Sequence, residues 1–400
     1  MTTISQLLSA IADIGADRVR GGYTRHWFDR SEMELREWFV GEARRRDLDT
    51  RLDQNGNLWA WWGEPASGSV VTGSHLDSVP GGGAFDGPLG VVSALAAVDR
   101  MRASGFTPRH SLGIVVFAEE EGGRFGVPCL GSRLLTGAIK PDEALRLSDR
   151  DGIRLAEAIA GVGMDPTSVG RDGGLLSQIG CFVELHVEQG RGLVDLDAPV
   201  GVASSILAHG RWRFRFTGTG NHAGTTPISG RRDPMLPAAQ LVLATRWAAS
   251  GVDGARATVG RLVPHPGGAN VIASSVDVWL DARAPNDTRT KTVVERIIAA
   301  AKQAAREEGC DVEVTEESYG DTVHFDFGLR DEVAEVLGGV PALPTGAGHD
   351  AGILASAVST AMLFVRNPTG VSHAPDEHAE AADCEAGVEA LAKVLQHLAT

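Results

Sequence analysis

The stretch Val70–Gly90, VVTGSHLDSVPGGGAFDGPLG, decides how the rest of the chain is read. An apolar run, Val70–Ser74, ends in His75 and Asp77. A glycine-rich turn follows, and Asp86 then precedes a stretch, Leu89–Ala103, whose apolar residues recur at helical spacing. Strand, polar turn and helix in that order make up the repeating unit of an α/β sheet. In such sheets the residues just beyond the strand ends are the ones that meet ligands.

The same pattern recurs outward from this stretch. Apolar runs at Leu58–Trp62, Leu112–Ala118 and Phe182–His186 read as strands, and Ser31–Arg46 reads as an amphipathic helix. Three glutamates, Glu119, Glu120 and Glu121, follow one strand, and His186 and Glu188 end another. From about Arg211 the order changes to strand Trp212–Phe216, helix Pro234–Ala249, strands Ala257–Val263 and Val276–Ala282, helix Thr290–Glu308 and strand Val312–Thr315. A βαββαβ order predicts an α+β unit with a four-stranded antiparallel sheet. The α/β pattern resumes with Ala361–Val365 and the helix Cys384–Leu398, so the smaller unit is expected as an insertion. The predicted domains are 1–209 and 321–400 for a mixed-sheet α/β catalytic domain, with 210–320 inserted.

A chain of 400 residues exceeds one ordinary core, in keeping with two domains. The formal charge of -15, from 37 basic and 52 acidic residues, argues against a nucleic-acid partner, which needs clustered Lys and Arg. The start, MTTISQLLSAIADIG, reads as an amphipathic helix and not as a signal peptide, and no apolar run approaches membrane-spanning length. Cys129, Cys181, Cys310 and Cys384 show no paired spacing and are expected as buried thiols of a cytoplasmic protein.

Four separated segments supply candidate metal ligands: His75, Asp77 and Asp86 in the opening stretch; the glutamate run in FAEEEGGRFG; His186 and Glu188 in ELHVEQG; and His373 in GVSHAPDEHAE. Mixed imidazole and carboxylate ligands suit Zn, Mn, Co or Ni better than Ca or Mg. Within the glutamate run, either Glu119–Glu120 or Glu120–Glu121 fits a base followed by a ligand.

ELHVEQG, NHAGTTP, GAGHDAG and SHAPDEHAE, in this order over nearly the whole chain, resemble a branch of the dinuclear-metal aminoacylase and carboxypeptidase superfamily. That branch contains N-carbamoyl-L-amino acid hydrolases, β-ureidopropionases and allantoate amidohydrolases. The resemblance implies a metallopeptidase-like fold whose inserted domain serves as a dimerisation and lid domain. It also implies two divalent metal ions per subunit, Zn or Mn before Co or Ni, held by His75, Asp86, Glu121, His186 and His373, with Asp86 as the bridge. Asp77 would orient His75. Branch members follow the glutamate pair with Gly-x-Arg-Phe, which Gly122, Arg124 and Phe125 match if Glu120 is the base and Glu121 the ligand.

Hydrolysis of an amide or urea at neutral pH needs a strong nucleophile and a polarised carbonyl, which two metals supply. Glu120 would carry the proton from water to the leaving nitrogen. By the same resemblance His222 would reach the reacting carbonyl oxygen in the neighbouring subunit of a homodimer. Asn270 and Arg283 would hold the substrate carboxylate, Arg283 through its fork of donors. Gln189 is expected to contact the ureido group, and GAGHDAG to form a glycine-rich substrate loop with His349 and Asp350 as substrate contacts or as a helix cap. The expected substrate is a small ureido or carbamoyl carboxylate. LFVRNPTGVSHAP tips the choice towards allantoate, with an N-carbamoyl-L-amino acid as the alternative and an acyl or peptidyl amide after it.

Overall fold

Four parallel strands form the centre of the main sheet, in the order Ser359–Val365, Ile179–Val187, Ser69–His75 and Leu112–Phe117. Nearly every residue in them is buried, as parallel strands covered on both faces require. Leu58–Trp62 and then Asp49–Leu52 continue the sheet antiparallel beyond Leu112–Phe117. Val200–Ile206 pairs antiparallel with Ser359–Val365. This mixed α/β sheet is the architecture expected from the alternation of strands and helices.

The computed structural model describes residues 3–400. They divide into two units: one takes the chain up to Ser205 and again from His324 to Thr400, the other is Ile206–Val323. In the larger unit the helices Pro88–Ala103 and Ala381–Leu398 bury apolar faces in the core that also holds the central strands. Pro88 opens its helix in the first turn, where a missing N–H costs nothing. Thr3 caps the N-terminal helix Ile4–Ala10 by accepting the Gln6 N–H, and Ile4 and Leu7 are buried, giving the amphipathic helix read there.

The smaller unit is a four-stranded antiparallel sheet in the order Arg256–His265, Ser275–Ala284, Ala208–Thr217 and Asp311–Gly320. Trp212, Phe214 and Phe216 point into its core while Arg211, Arg213 and Arg215 occupy the other face, the period-two alternation of a half-covered sheet. The helices Met235–Ser250 and Asp287–Glu307 contribute to that core. The last strand runs well past the expected Val312–Thr315, because the exposed Glu316 and Glu317, at a shift of register, interrupt the apolar signal. A short ribbon pairs Asn221–His222 with Val271–Ile272.

The four cysteines are free thiols, three buried and Cys181 half-buried. Among the described residues no helix is long and apolar enough to cross a membrane.

Candidate metal centre and active site

All four central strands run the same way, so their carboxyl ends share one edge of the sheet. His75 is the last residue of its strand, His186 the penultimate residue of the next, and the glutamate run begins two residues after Phe117. His373 lies on the segment after Val365. The sheet thus brings together ligand candidates that are distant in sequence.

Asp86 is the common neighbour. Its Oδ1 lies 3.2 Å from His186 Nε2 and 3.5 Å from His75 Nε2, and its Oδ2 lies 3.3 Å from His373 Nε2. Glu121 Oε2 is 3.4 Å from His373 Nε2. Two groups therefore share Asp86: His75, Asp86 and His186, all buried, and Asp86, Glu121 and His373, of which His373 is exposed.

The imidazole hydrogen bonds fix how these groups face one another. His75 Nδ1 lies 3.0 Å from the Asp77 carbonyl oxygen and His186 Nδ1 lies 2.9 Å from that of Val187, so both Nδ1 atoms donate. A neutral ring then turns the lone pair of Nε2 towards Asp86. His186 Nε2 is buried and makes no directed hydrogen bond. Lone pairs facing a buried carboxylate repel it unless a cation lies between, so this donor set fits divalent ions.

With no cation between them, the same contacts instead favour protonated imidazoles facing an ionised Asp86. Burial pushes Glu120 and Glu121 well above the usual carboxylate range, with neighbouring carboxylates adding to the effect. Burial opposes ionisation of Asp86 as well, but His186 and His75 outweigh it and hold Asp86 well below the usual range. Burial would depress His75 too, yet Glu120 and the two aspartates leave it well above its ordinary value.

The glutamate run is held by its main chain. Asp77 accepts the Glu120 N–H at 3.2 Å and the Glu121 N–H at 3.0 Å, which makes it a support for this turn as well as a neighbour of His75, 3.6 Å from Nδ1. Glu119 Oε1 accepts the N–H groups of Arg124 and Phe125, turning that side chain away from the ligand groups. Glu120 Oε2 faces His75 Nε2 at 3.6 Å and its Oε1 accepts the Cys129 thiol at 3.2 Å. Glu119, Cys129 and His373 all have left-handed backbones, with φ of 50°, 55° and 57°. Such conformations in non-glycine residues cluster at functional sites.

Glu188 differs from its sequence reading, and Gln189 and His349 lie beside the ligand groups. Glu188, a ligand candidate, accepts the Gly192 and Leu193 N–H groups and so caps the short helix Gly192–Asp195. Gln189, expected on the ureido group, donates its amide Nε2 to Asp86 Oδ2 and to Ser372 Oγ, each at 2.9 Å. Its buried Oε1 has no hydrogen-bond partner within the chain. His349 packs edge-on against His186, with ring centroids 4.5 Å apart, and its buried Nε2 lacks a hydrogen-bond partner. Burial holds His349 well below its ordinary pKa, so it is neutral at neutral pH.

The smaller unit carries the other three. His222 Nδ1 accepts the Gly224 N–H at 3.0 Å, which puts the proton of the neutral ring on Nε2. Asn270 lies beside it, its carbonyl accepting the Ala223 N–H at 2.9 Å. Arg283 forks onto Asp281, two residues earlier on the same strand, at 2.8 and 3.1 Å. The sequence reading passed over Glu377 and Ser372, which border Asp86 within SHAPDEHAE, and Glu184, which accepts the Ser74 hydroxyl and the Ala351 N–H. Glu184 stands two residues before His186, on the same face of its strand, which is the signal that could have found it.

Comparison with known proteins places these features in a family. The N-carbamoyl-L-amino acid amidohydrolase of Geobacillus stearothermophilus is 36% identical over 405 residues, covering 98% of this chain and 97% of that protein. The allantoate amidohydrolase of Bacillus subtilis is 30% identical over 407 residues, covering 99% and 97%. The crystal structure of AtUAH in complex with glyoxylate superposes with a TM-score of 0.88 at 29% identity, covering 100% of this chain and 98% of that one. The model of the peptidase family M20/M25/M40 matches residues 71–397, a span holding every candidate metal ligand, and the chain belongs to that family.

Proposed function

We propose that this chain hydrolyses a linear carbon–nitrogen amide of a small ureido or carbamoyl carboxylate. The observation that carries this reading is Asp86, whose two oxygens face three imidazoles while Glu120 stands beside one of them. His75 and His186 would hold one divalent ion and Glu121 and His373 another, with Asp86 serving both; the donor set admits Zn, Mn, Co and Ni, and the family resemblance puts Zn or Mn first. Two such ions supply Lewis acidity to the scissile carbonyl and lower the pKa of water.

The chain's own residues do the rest. Glu120 takes the water proton and delivers it to the leaving nitrogen; its burial raises its affinity for that proton, and the Cys129 thiol holds the carboxylate in place before the first transfer. His222, with its proton on Nε2, donates to the developing oxyanion. Arg283 and Asn270 hold the substrate carboxylate, which displaces Asp281 from the Arg283 fork. The unpartnered Gln189 Oε1 accepts a ureido N–H, and His349 remains a neutral hydrogen-bonding group beside it.

Allantoate is the favoured substrate, on the similarity of LFVRNPTGVSHAP to allantoate amidohydrolases. Its hydrolysis gives ammonia, carbon dioxide and a ureidoglycine-type product. The second reading, an N-carbamoyl-L-amino acid, is favoured by the higher identity to the Geobacillus stearothermophilus enzyme. One metal-loaded preparation assayed with allantoate, N-carbamoyl-L-amino acids and N-acetyl-L-amino acids separates the readings. Ammonia release from either ureido acid supports the proposal, and preferred cleavage of the N-acetyl compounds overturns it.

A further inference from the structure

Glu377 lies outside the ligand set, yet its carboxylate organises the segment that carries Asp86. Its Oε1 accepts the backbone N–H groups of Phe85 and Asp86, each at 2.9 Å. Its Oε2 lies 3.4 Å from Ser372 Oγ, and that hydroxyl is also 3.3 Å from Asp86 Oδ2. Gln189 donates to both Ser372 Oγ and Asp86 Oδ2. The Ser372 hydroxyl therefore accepts from Gln189 and has one proton to give, to Glu377 or to Asp86.

Two further features show that this place is built around Glu377. Its side chain is buried, 5% exposed. A Cβ added at Gly83 would fall 2.2 Å from Glu377 Oε1, so the glycine-rich turn before Asp86 leaves room for that carboxylate. A glycine-rich segment loses much freedom on ordering and does not define its own conformation. An acceptor holding two successive N–H groups supplies that definition, and Ser372 links it to the neighbour of His373.

We propose that Glu377 is a positioning residue for the metal centre: it fixes the main chain of Asp86 and, through Ser372, the His373 segment. The shared carboxylate is thereby held facing both sets of imidazoles. This rests on the reading of Asp86 and His373 as ligands. The role is geometric and needs an acceptor at Oε1, not a charge. An amide oxygen serves equally, and an amide N–H reaches Ser372 Oγ in place of the Ser372 proton.

The test compares wild type with Glu377→Gln and Glu377→Ala, each stripped of metal and titrated with Zn²⁺ or Mn²⁺ against a chromophoric chelator. Cobalt(II) absorption reports the ligand geometry, and circular dichroism confirms the fold. Glu377→Ala is expected to weaken ion binding by about 10–100-fold and to change the cobalt spectrum, as loss of a hydrogen-bonding partner behind metal ligands does. Glu377→Gln should remain close to wild type in both. Unchanged affinity in a folded Glu377→Ala protein overturns the proposal, and so does a Glu377→Gln protein as weak as Glu377→Ala. Should Glu377→Ala not fold, Glu377→Asp, charged but too short to reach both N–H groups, replaces it with the same expected loss and the same overturning result. Wild type that takes up no divalent ion overturns the ligand reading itself, which distinguishes the two failures.

Discussion

Glu121 Oε2 lies 3.4 Å from His373 Nε2, across the shared carboxylate of Asp86. The preceding residue faces elsewhere: Glu120 Oε2 is 3.6 Å from His75 Nε2, and its Oε1 takes the Cys129 thiol. Adjacent glutamates thus have separable roles. Glu120→Gln should keep metal content near wild type while kcat falls by about 10²–10⁴-fold, since a proton carrier is lost and no ligand. Glu121→Gln should lower metal occupancy. Metal analysis beside steady-state kinetics checks this, and the reverse pattern would exchange the two assignments.

Gly87 supplies a second test, because it has φ of 80° and an added Cβ would come within 2.4 Å of the His75 ring. Gly87→Ala should both lower thermal stability and weaken metal binding. Gly105, with φ of 76° and nothing within 4 Å of an added Cβ, is the control. Gly105→Ala carries the backbone strain, about 1–3 kcal/mol, without touching the site. If both variants bind metal alike, the ring contact has no part in ordering His75.

The Glu119 carboxyl gives a pH prediction. Burial, reinforced by Asp77, pushes it up to about 8 against the Phe125 and Arg124 N–H groups. A folded pKa raised above the ordinary value of 4.5 means that the stabilisation is complete below 4.5 and is lost as pH rises towards 8. Metal-free Glu119→Gln protein stays neutral and should gain stability relative to wild type across that window, by up to a few kcal/mol at its upper end. Melting temperatures of both proteins at several pH values decide it. A constant difference between the two curves would show that Glu119 does not titrate there.

The smaller unit's antiparallel sheet ends in Arg256–His265 and Asp311–Gly320, and exposed edges of this kind are often covered by assembly. If a two-fold dimer lets His222 serve its partner's site, two inactive proteins should complement. Mixing Glu120→Gln with His222→Ala gives about half mixed dimers, each with one working site, so activity should recover to roughly a quarter of wild type. No recovery after confirmed subunit exchange would show that His222 does not act in trans.

The strands and the candidate ligands at their carboxyl ends were legible because buried parallel strands are unbroken apolar runs, after which His75, Glu119–Glu121 and His186 stand out. The insertion was legible from its change of period. Short pieces such as Tyr23–Arg25 paired with Ser78–Gly82 were not, since three residues and a segment of proline and glycine carry no alternation. The partners of Asp86 were also hidden. Glu377 reaches Asp86 only through the fold, and nothing local distinguishes it from the neighbouring acids Asp376 and Glu380. Glu188 shows the converse, an acid at a strand end whose carboxylate closes a helix turn.

The central claim, ion-dependent hydrolysis at the Asp86 centre, is tested most directly by ammonia release from a ureido acid after complete chelation and stepwise return of one divalent ion. Turnover should vanish on chelation and recover as about two ions bind per chain, while Asp86→Asn, tested identically, should not recover. Full turnover by the chelated protein, or recovery in Asp86→Asn equal to wild type, would contradict the account.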